Sequence, residues 1–347
     1  MKVLKYVSFL FLCLLIFASC SEKTIPLKVL QINTWFECKK VPNGLDALVS
    51  TIEQTDPDVI FFCELDSKEF FEEMKKTLKA KGKEYDGEFK DMSIAILSKY
   101  KVKDMHLQYR QDEGKSKGFM KGTIEVGGQT IDLYSGHLDY LHYECYMPRG
   151  YNGYTWKKME APANNADTVL AYNRMSLRDE GVASFLKDAK EGIEKGHLII
   201  MGGDFNEPSH LDWQADTKDM RDHNGLVINW DCSVMLQEHG FKDSYRELYP
   251  NPVTHPGFTY ACGNKYVEKK ELVWTEGVDD RDRIDFVYYM PNKNIELKGA
   301  LIVGPVEDFL KGELVDGKTE DPIFTPEGVW PSDHKANLVT FDITVKD

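Results

Sequence analysis

Apolar positions along the chain follow two patterns, and the switch between them marks the elements. Residues 27–33 read as a first strand. Asn43 stands where a helix cap would, before Leu45, Leu48, Val49 and Ile52 at i, i+3, i+4 and i+7, one apolar helical face that Pro57 helps to end. Residues 59–63 form an uninterrupted apolar run typical of a buried strand, and Ser67 then opens a second helix with Phe70, Phe71, Met74 and Leu78 turned inward. Short strands are predicted over 93–98, 121–126 and 130–135, the last two joined by Gly127-Gly128, a hairpin signal. A helix is predicted over 174–189, with Val182, Phe185 and Leu186 on one side, and further strands over 197–201, 283–290 and 337–345. Three long aromatic-rich loops, 138–173, 207–233 and 262–282, lie between them. Loops of that length in a compact domain usually carry function. Strands outnumber helices and the helices are scattered, which implies packed sheets covered by helices.

Polar residues gather where these strands end: Asn33, Glu64, His137, Asp204, Asn206, Asp285, Asp333 and His334. Taken singly, each reads as a turn residue or a helix cap. Asp285 resists that reading, because it stands inside the apolar run Ile284-Asp-Phe-Val287 and a buried carboxylate needs a partner. Together the set suits one task. Several carboxylates with a carboxamide make an oxygen-rich site for a hard cation, Mg2+ or Mn2+ rather than zinc. Two histidines can donate hydrogen bonds to a phosphoryl oxygen or a leaving group, and an aspartate beside a histidine holds its tautomer and supports its charge. That combination describes metal-assisted hydrolysis of a phosphate ester.

The same residues carry a resemblance. Leu30-Gln-Ile-Asn33, Phe62-Cys-Glu64, Ser135-Gly-His-Leu138, Gly203-Asp-Phe-Asn206, Arg283-Ile-Asp285 and Ser332-Asp-His334 follow one another in the order found in the endonuclease/exonuclease/phosphatase (DNase I-like) superfamily. The resemblance spans roughly residues 27–345. It implies an α/β fold, a four-layer sandwich of two mixed β-sheets packed face to face with helices outside. Glu64 resembles the family's metal-binding glutamate, and Asn33 its metal or phosphate neighbour. Asp333 resembles a further metal-site carboxylate. Asp204 resembles the aspartate that orients or deprotonates the attacking water, and Asn206 the residue that holds a phosphate oxygen or that aspartate. His334 resembles the catalytic histidine, Asp285 its orienting partner, and His137 a second histidine near the leaving group, found in the DNase and sphingomyelinase branches. Arg178 and His210 are further candidates for binding substrate: Arg178 as a phosphate ligand or a solvated helix charge, His210 as a pocket wall. Tyr140, Tyr143, Tyr146, Tyr151, Tyr154 and Trp156 crowd one loop, either to stack on a substrate or to pack on one another. Glu207 opens the 207–233 loop, placed by this reading at the rim of the site.

Composition adjusts the choice of substrate. The 347 residues are 42% hydrophobic and 29% charged, an ordinary globular balance. At the start, Lys2 and Lys5 precede an apolar run ending at Ala18, too short to span a membrane and shaped like a secretory signal. Phe17-Ala-Ser-Cys20 resembles a bacterial lipobox, which implies a signal peptide over 1–19, lipidation of Cys20, a short tether over 20–26, a domain over 27–347, and a place on the bacterial cell envelope, at the outer membrane. Loss of residues 1–19 would take the net charge from −14 to −16. So acidic a chain gains little from counterion release on a polyanion, which makes nucleic acid a possible but less natural partner. The five cysteines beyond Cys20 are no disulfide framework, though one or two bridges among Cys38, Cys145, Cys232 and Cys262 are open to an oxidising compartment, with Cys63 a buried thiol. The expected partner is a phosphate-ester substrate, small or lipid-derived, and no protein partner is implied. The competing readings are a secreted nuclease, a phosphomonoesterase, and a non-catalytic binding lipoprotein on the same scaffold.

Overall fold

The computed structural model describes residues 23–90, 93–109, 118–272, 274–275 and 277–346. The expected signal peptide and Cys20 lie outside them. Its strands, in chain order, are β1 (Thr24–Asn33), β2 (Val59–Cys63), β3 (Ile94–Ser98), β4 (Lys103–Tyr109), β5 (Gly118–Val126), β6 (Gln129–His137) and β7 (Leu198–Asp204). There follow β8 (Lys242–Asp243), β9 (Asp285–Tyr289), β10 (Ile295–Val303), β11 (Asp308–Leu310), β12 (Glu313–Val315), β13 (Ile323–Phe324) and β14 (Ala336–Thr344). One six-stranded sheet has the order β13-β10-β14-β1-β2-β3 and the other β4-β5-β6-β7-β9-β8. Both are mixed, with β1–β2 and β6–β7 parallel among mainly antiparallel pairs.

Strand periodicity explains the layering. In β1, Leu27 and Val29 face one side and Leu30 and Ile32 the other; β2, β7 and β9 alternate in the same way. The first set, with Phe61, Ile96, Met120, Leu133, Ile200 and Val287, fills the space between the sheets. The second set of the first sheet packs under the helices Gly44–Thr55 and Lys68–Ala80 through Leu48, Ile52, Phe71, Met74 and Leu78. The second sheet's outer face carries Tyr134, Ile199, Met201 and Phe286 against Val182, Phe185 and Leu236 of the helices Arg178–Glu194 and Asp231–Glu238. The four-layer sandwich expected from the resemblance is therefore the fold.

Several expectations are corrected in detail. Thr24–Pro26, read as tether, are strand and pair with Thr344–Asp342 of β14. Ser67 does cap its helix, accepting from Phe70 N, whereas Asn43 sits before its helix in a left-handed conformation (φ 52°) and its side chain makes no capping bond. The helix predicted over 174–189 runs instead over Arg178–Glu194, and a separate helix, Ala166–Asn173, lies within the stretch read as loop. The five described cysteines are buried free thiols and form no bridge: Cys38 and Cys262 share one apolar cluster, while Cys145 and Cys232 each lie in another.

The long loops are not irregular surface. Tyr143, Tyr146, Trp213, Ile228, Trp230, Tyr260 and Ile284 make a core of their own at one end of the sandwich. Trp213 donates through Nε1 to Asp282 (3.1 Å), which also accepts from Arg149 (2.6 Å), so three loops share one buried carboxylate. Arg178 is the second such tie. It is 1% exposed and neither a solvated charge nor a phosphate ligand. Its guanidinium donates to the backbone oxygens of Asp139, Leu141 and His142 and to Asn173 Oδ1, with the buried Glu207 carboxylate 3.5 Å away. Arg178→Met would leave Glu207 and three carbonyls without their cation. It should lower unfolding stability by about 3–5 kcal/mol in denaturant titration, whereas a phosphate-binding arginine would change substrate KM and leave stability unaltered.

Candidate active site

Strand register brings the polar residues to one end of the sandwich. Parallel pairing sets Asn33 beside Cys63 and His137 beside Asp204, while β7–β9 pairing sets Asp204 opposite Asp285. Asp333 and His334 arrive just before β14. Gly203 allows the approach: a Cβ there would stand 2.0 Å from the Gly136 carbonyl oxygen, so only glycine lets β7 lie this close to β6. Cys63, between the sheets, donates its thiol to Gly136 O (3.1 Å) and accepts from Asp204 N (3.3 Å).

Asn33 ties two carboxylates together, donating through Nδ2 to Glu64 Oε1 (3.1 Å) and Asp204 Oδ2 (3.0 Å). Its Oδ1 accepts from Trp35 N (2.8 Å), so the residue grouped with the metal ligands by sequence holds the carboxylates instead of presenting its oxygen to the cavity. The second Glu64 oxygen accepts from Phe36 N (2.9 Å). That bond depends on unusual backbone: Trp35, Phe36, Glu37 and Cys38 all have positive φ, 46° to 60°, and Glu64 itself has 58°. Left-handed conformations cost roughly 1–2 kcal/mol per non-glycine residue, and such strain collects where function requires a fixed geometry. Asp204 Oδ1 accepts from the backbone N of Asn206 (2.8 Å), whose side chain donates to Leu138 O (3.0 Å).

His334 is held on its far side. Its Nδ1 lies 2.8 Å from Asp285 Oδ2, and Asp285 Oδ1 accepts from Gln31 Nε2 (2.8 Å). Gln31 Oε1 in turn accepts from Asn337 (2.9 Å), and Asn337 also donates to Asp285 O (3.1 Å). Gln31, Asn337 and Thr259, which accepts from Asp285 N (3.2 Å), carry no motif, and sequence reasoning assigned them no task. The available signal was a glutamine inside the apolar strand, between Leu30 and Ile32. His334 Nε2 stands 3.9 Å from both Asp204 Oδ2 and Asp333 Oδ1, and His137 Nε2 3.9 Å from Asp204 Oδ2.

Burial and crowding set the charges. Burial, helped by the Asp285 charge, pushes Asp204 up to about 7. Burial likewise pushes Asp333 up to about 7 against the opposing pull of His334. For His334 burial favours the neutral ring, but Asp285, Asp333 and Asp204 outweigh it and hold the imidazole well above its ordinary value. Glu64, His137 and Asp204 offer ligand atoms that all lie within 4.8 Å of one another, as do Asp204, Asp285 and His334. Asp333 Oδ1 is buried with no hydrogen-bond partner. Oxygen-rich, negatively charged and with a buried carboxylate oxygen that accepts no hydrogen bond, the cluster fits a divalent cation.

A cavity of about 330 Å3 opens over the cluster. Glu64, His137, Asp204, Asn206, Asp333 and His334 lie in its wall, and Tyr140, Tyr143, Tyr146 and Trp156 line it too, beside Trp35, Phe36, Tyr260, Trp274 and Ile284. The crowded aromatic loop thus does both things expected of it, packing on itself and facing the site. The 207–213 stretch is not the rim. Glu207 is buried against Asn173 and Cys232 N, and His210, expected as a pocket wall, bonds Ser233 Oγ (2.8 Å) and Gln237 (3.1 Å) away from the cavity.

Comparison with known proteins agrees with this geometry. The family model described as Endonuclease/Exonuclease/phosphatase family matches residues 30–334. An uncharacterized protein of Caenorhabditis elegans is 27% identical over 318 residues, 89% of each chain. The inositol phosphosphingolipids phospholipase C of Schizosaccharomyces pombe is 22% identical over 316 residues, covering 81% of this chain and 64% of that enzyme. The human nocturnin catalytic domain, solved with a bound sulfate anion, shares the fold at 13% identity, with a TM-score of 0.53 over 93% of this chain and 98% of that one. With a match that runs from β1 to the histidine before β14, the chain belongs to the endonuclease/exonuclease/phosphatase family, and it is a phosphoesterase.

Proposed function

We propose that the chain is a phosphodiesterase dependent on Mg2+ or Mn2+, acting outside the cytoplasm on a small or lipid-derived phosphate ester. The observation that carries the reading is His334, fixed through Nδ1 by Asp285 and kept cationic by three carboxylates, with Nε2 set 3.9 Å from Asp204 and Asp333 at the cavity wall. A phosphodiester is a stable anion, and its hydrolysis needs positive groups aimed at the phosphoryl oxygens. In this reading Glu64 holds the metal, with Asp333 beside it, while Asn33 keeps Glu64 and Asp204 at a fixed separation. The ion, when bound, offsets negative charge on the phosphate. Asp204, with an affinity for protons near neutrality, takes the proton of the attacking water. His334 donates to a phosphoryl oxygen, and His137 stands toward the leaving group. Asn206 fixes Asp204 through its backbone N–H and faces the cavity.

The acidic composition and a cavity with no described lysine or arginine in its wall favour a small or lipid ester over a nucleic acid strand. The S. pombe phospholipase C supports a lipid-derived ester, and the basic, apolar start of the chain with its lipobox-like Cys20 supports a lipid anchor at the cell envelope.

Hydrolysis of bis-p-nitrophenyl phosphate should require Mg2+ or Mn2+ and stop with chelator. His334→Ala should lose about 10²–10⁴-fold in kcat with an unchanged melting temperature; near-wild-type turnover would remove His334 from the mechanism. Asp285→Asn deletes the charge that raises His334, so its pKa falls and the ring is neutral at a lower pH. The alkaline limb of the kcat/KM profile should therefore move toward acid, and an unmoved limb would show that His334 does not act as a cation.

A further inference from the structure

The apolar layer between the sheets breaks its own pattern in one place. On β1 the inward residues Leu27 and Val29 are followed, at the same spacing of two, by Gln31 and Asn33. On β14 the inward residues Ile343, Phe341 and Val339 lead in the same way to Asn337. Gln31 and Asn337 stand directly opposite each other in the β1–β14 register and are both buried. An apolar pair would fill this place with no polar group to satisfy, whereas buried amides are costly unless their bonds are made.

Here the bonds run one way. A carboxylate has no proton to give, so Asp285 Oδ1 obliges Gln31 to present its NH2 group, which it does through Nε2 (2.8 Å). The Gln31 oxygen is thereby turned to β14, where Asn337 Nδ2 donates to it (2.9 Å) and to the Asp285 backbone oxygen (3.1 Å). The second carboxylate oxygen, Oδ2, meets His334 Nδ1 (2.8 Å), and Thr259 Oγ1 accepts from the Asp285 backbone N (3.2 Å). With Oδ1 taken by Gln31, the carboxylate has little freedom to turn about Cβ–Cγ. The direction of Oδ2 is then set, and the ring of His334 follows it.

We propose that Gln31, backed by Asn337, is a positioning residue for the hydrolytic histidine: it fixes the Asp285 carboxylate in the one rotation that aims His334 Nε2 into the cavity. The proposal rests on the phosphodiesterase reading and adds to it two residues that do not line the cavity. Two positions along β1, Asn33 serves Glu64 and Asp204 in the same manner, so alternate residues on one face of one strand aim both sides of the site. If the amides served only to make Asp285 tolerable in the interior, their loss would lower stability and leave the turnover of folded protein unchanged. A positioning role lowers kcat instead, because a misdirected ring is felt in the transition state more than in substrate binding.

The test follows hydrolysis of bis-p-nitrophenyl phosphate with Mg2+, well below the melting transition of each variant. Gln31→Met, close to glutamine in shape and without its donor, should lose about tenfold to a hundredfold in kcat. Its KM should be unchanged and its Mg2+-dependent rise in melting temperature kept. Asn337→Leu, which leaves Gln31 in place but takes away the donor to its oxygen, should lower kcat by a smaller factor, and it carries the test if Gln31→Met does not fold. In an Asp285→Asn background the charge to be aimed is gone, so Gln31→Met should cost little more there. Full kcat in the folded variants, a change confined to KM, or an equal loss with and without the Asp285 charge overturns the positioning role. Where His334→Ala is inactive in the same assay, the phosphodiesterase reading survives that result; wild-type turnover by His334→Ala as well overturns both.

Discussion

Four carboxylates, Glu64, Asp204, Asp285 and Asp333, meet at one end of the sandwich, three of them buried, and much of the architecture serves to tolerate that repulsion. Like charges at this separation inside a protein cannot all ionise without compensation. The chain supplies it locally: Asn33 donates to two of them, Gln31 and His334 to a third, and the backbone of Phe36 and Asn206 to the remaining oxygens of Glu64 and Asp204. What remains is an Asp333 oxygen without a hydrogen bond, and the raised proton affinity of Asp204 and Asp333. A divalent cation would complete the set, and charged groups fixed in place before the reaction need no reorganisation when it occurs.

That constraint also explains why the sandwich has its particular registers. The acids come from strands far apart in sequence, and parallel pairing of β1 with β2 and of β6 with β7 sends all four strand ends the same way. Gly203 pays for the closest of these approaches with the loss of a side chain, and the left-handed turn over Trp35–Cys38 stores backbone strain to aim one N–H at Glu64.

Strand ends and the residues upon them were legible because each announces itself locally, as a small polar group closing an apolar run. Glu64, His137, Asp204 and Asn206 follow this pattern, Asp285 shows as an acid inside an apolar run, Asp333 and His334 come from the family motif, and the structure brings them together. What stayed hidden depends on contacts across the whole chain. Gln31 reaches Asp285 over 254 positions, and its partner Asn337 lies in the last strand, so neither has a local signature. Arg178 looked like one more helix charge until the loop carbonyls of Asp139, Leu141 and His142 closed round it. His210 failed as a pocket wall for the same reason: the loop that follows Asn206 turns back on the helix Asp231–Glu238.

The cavity is thus built from two unlike halves, an acidic cluster that wants a cation and an aromatic loop core that would face a substrate. The claim on which everything rests is that the acidic half is a metal site. Thermal unfolding with Mg2+ or Mn2+ against chelator tests it without any substrate, since a ligand that binds only the folded chain raises its melting temperature. The metal should raise the transition of the wild type in a concentration-dependent way and leave that of Glu64→Gln unmoved; an unresponsive wild type, or an equal rise in the variant, would contradict the account.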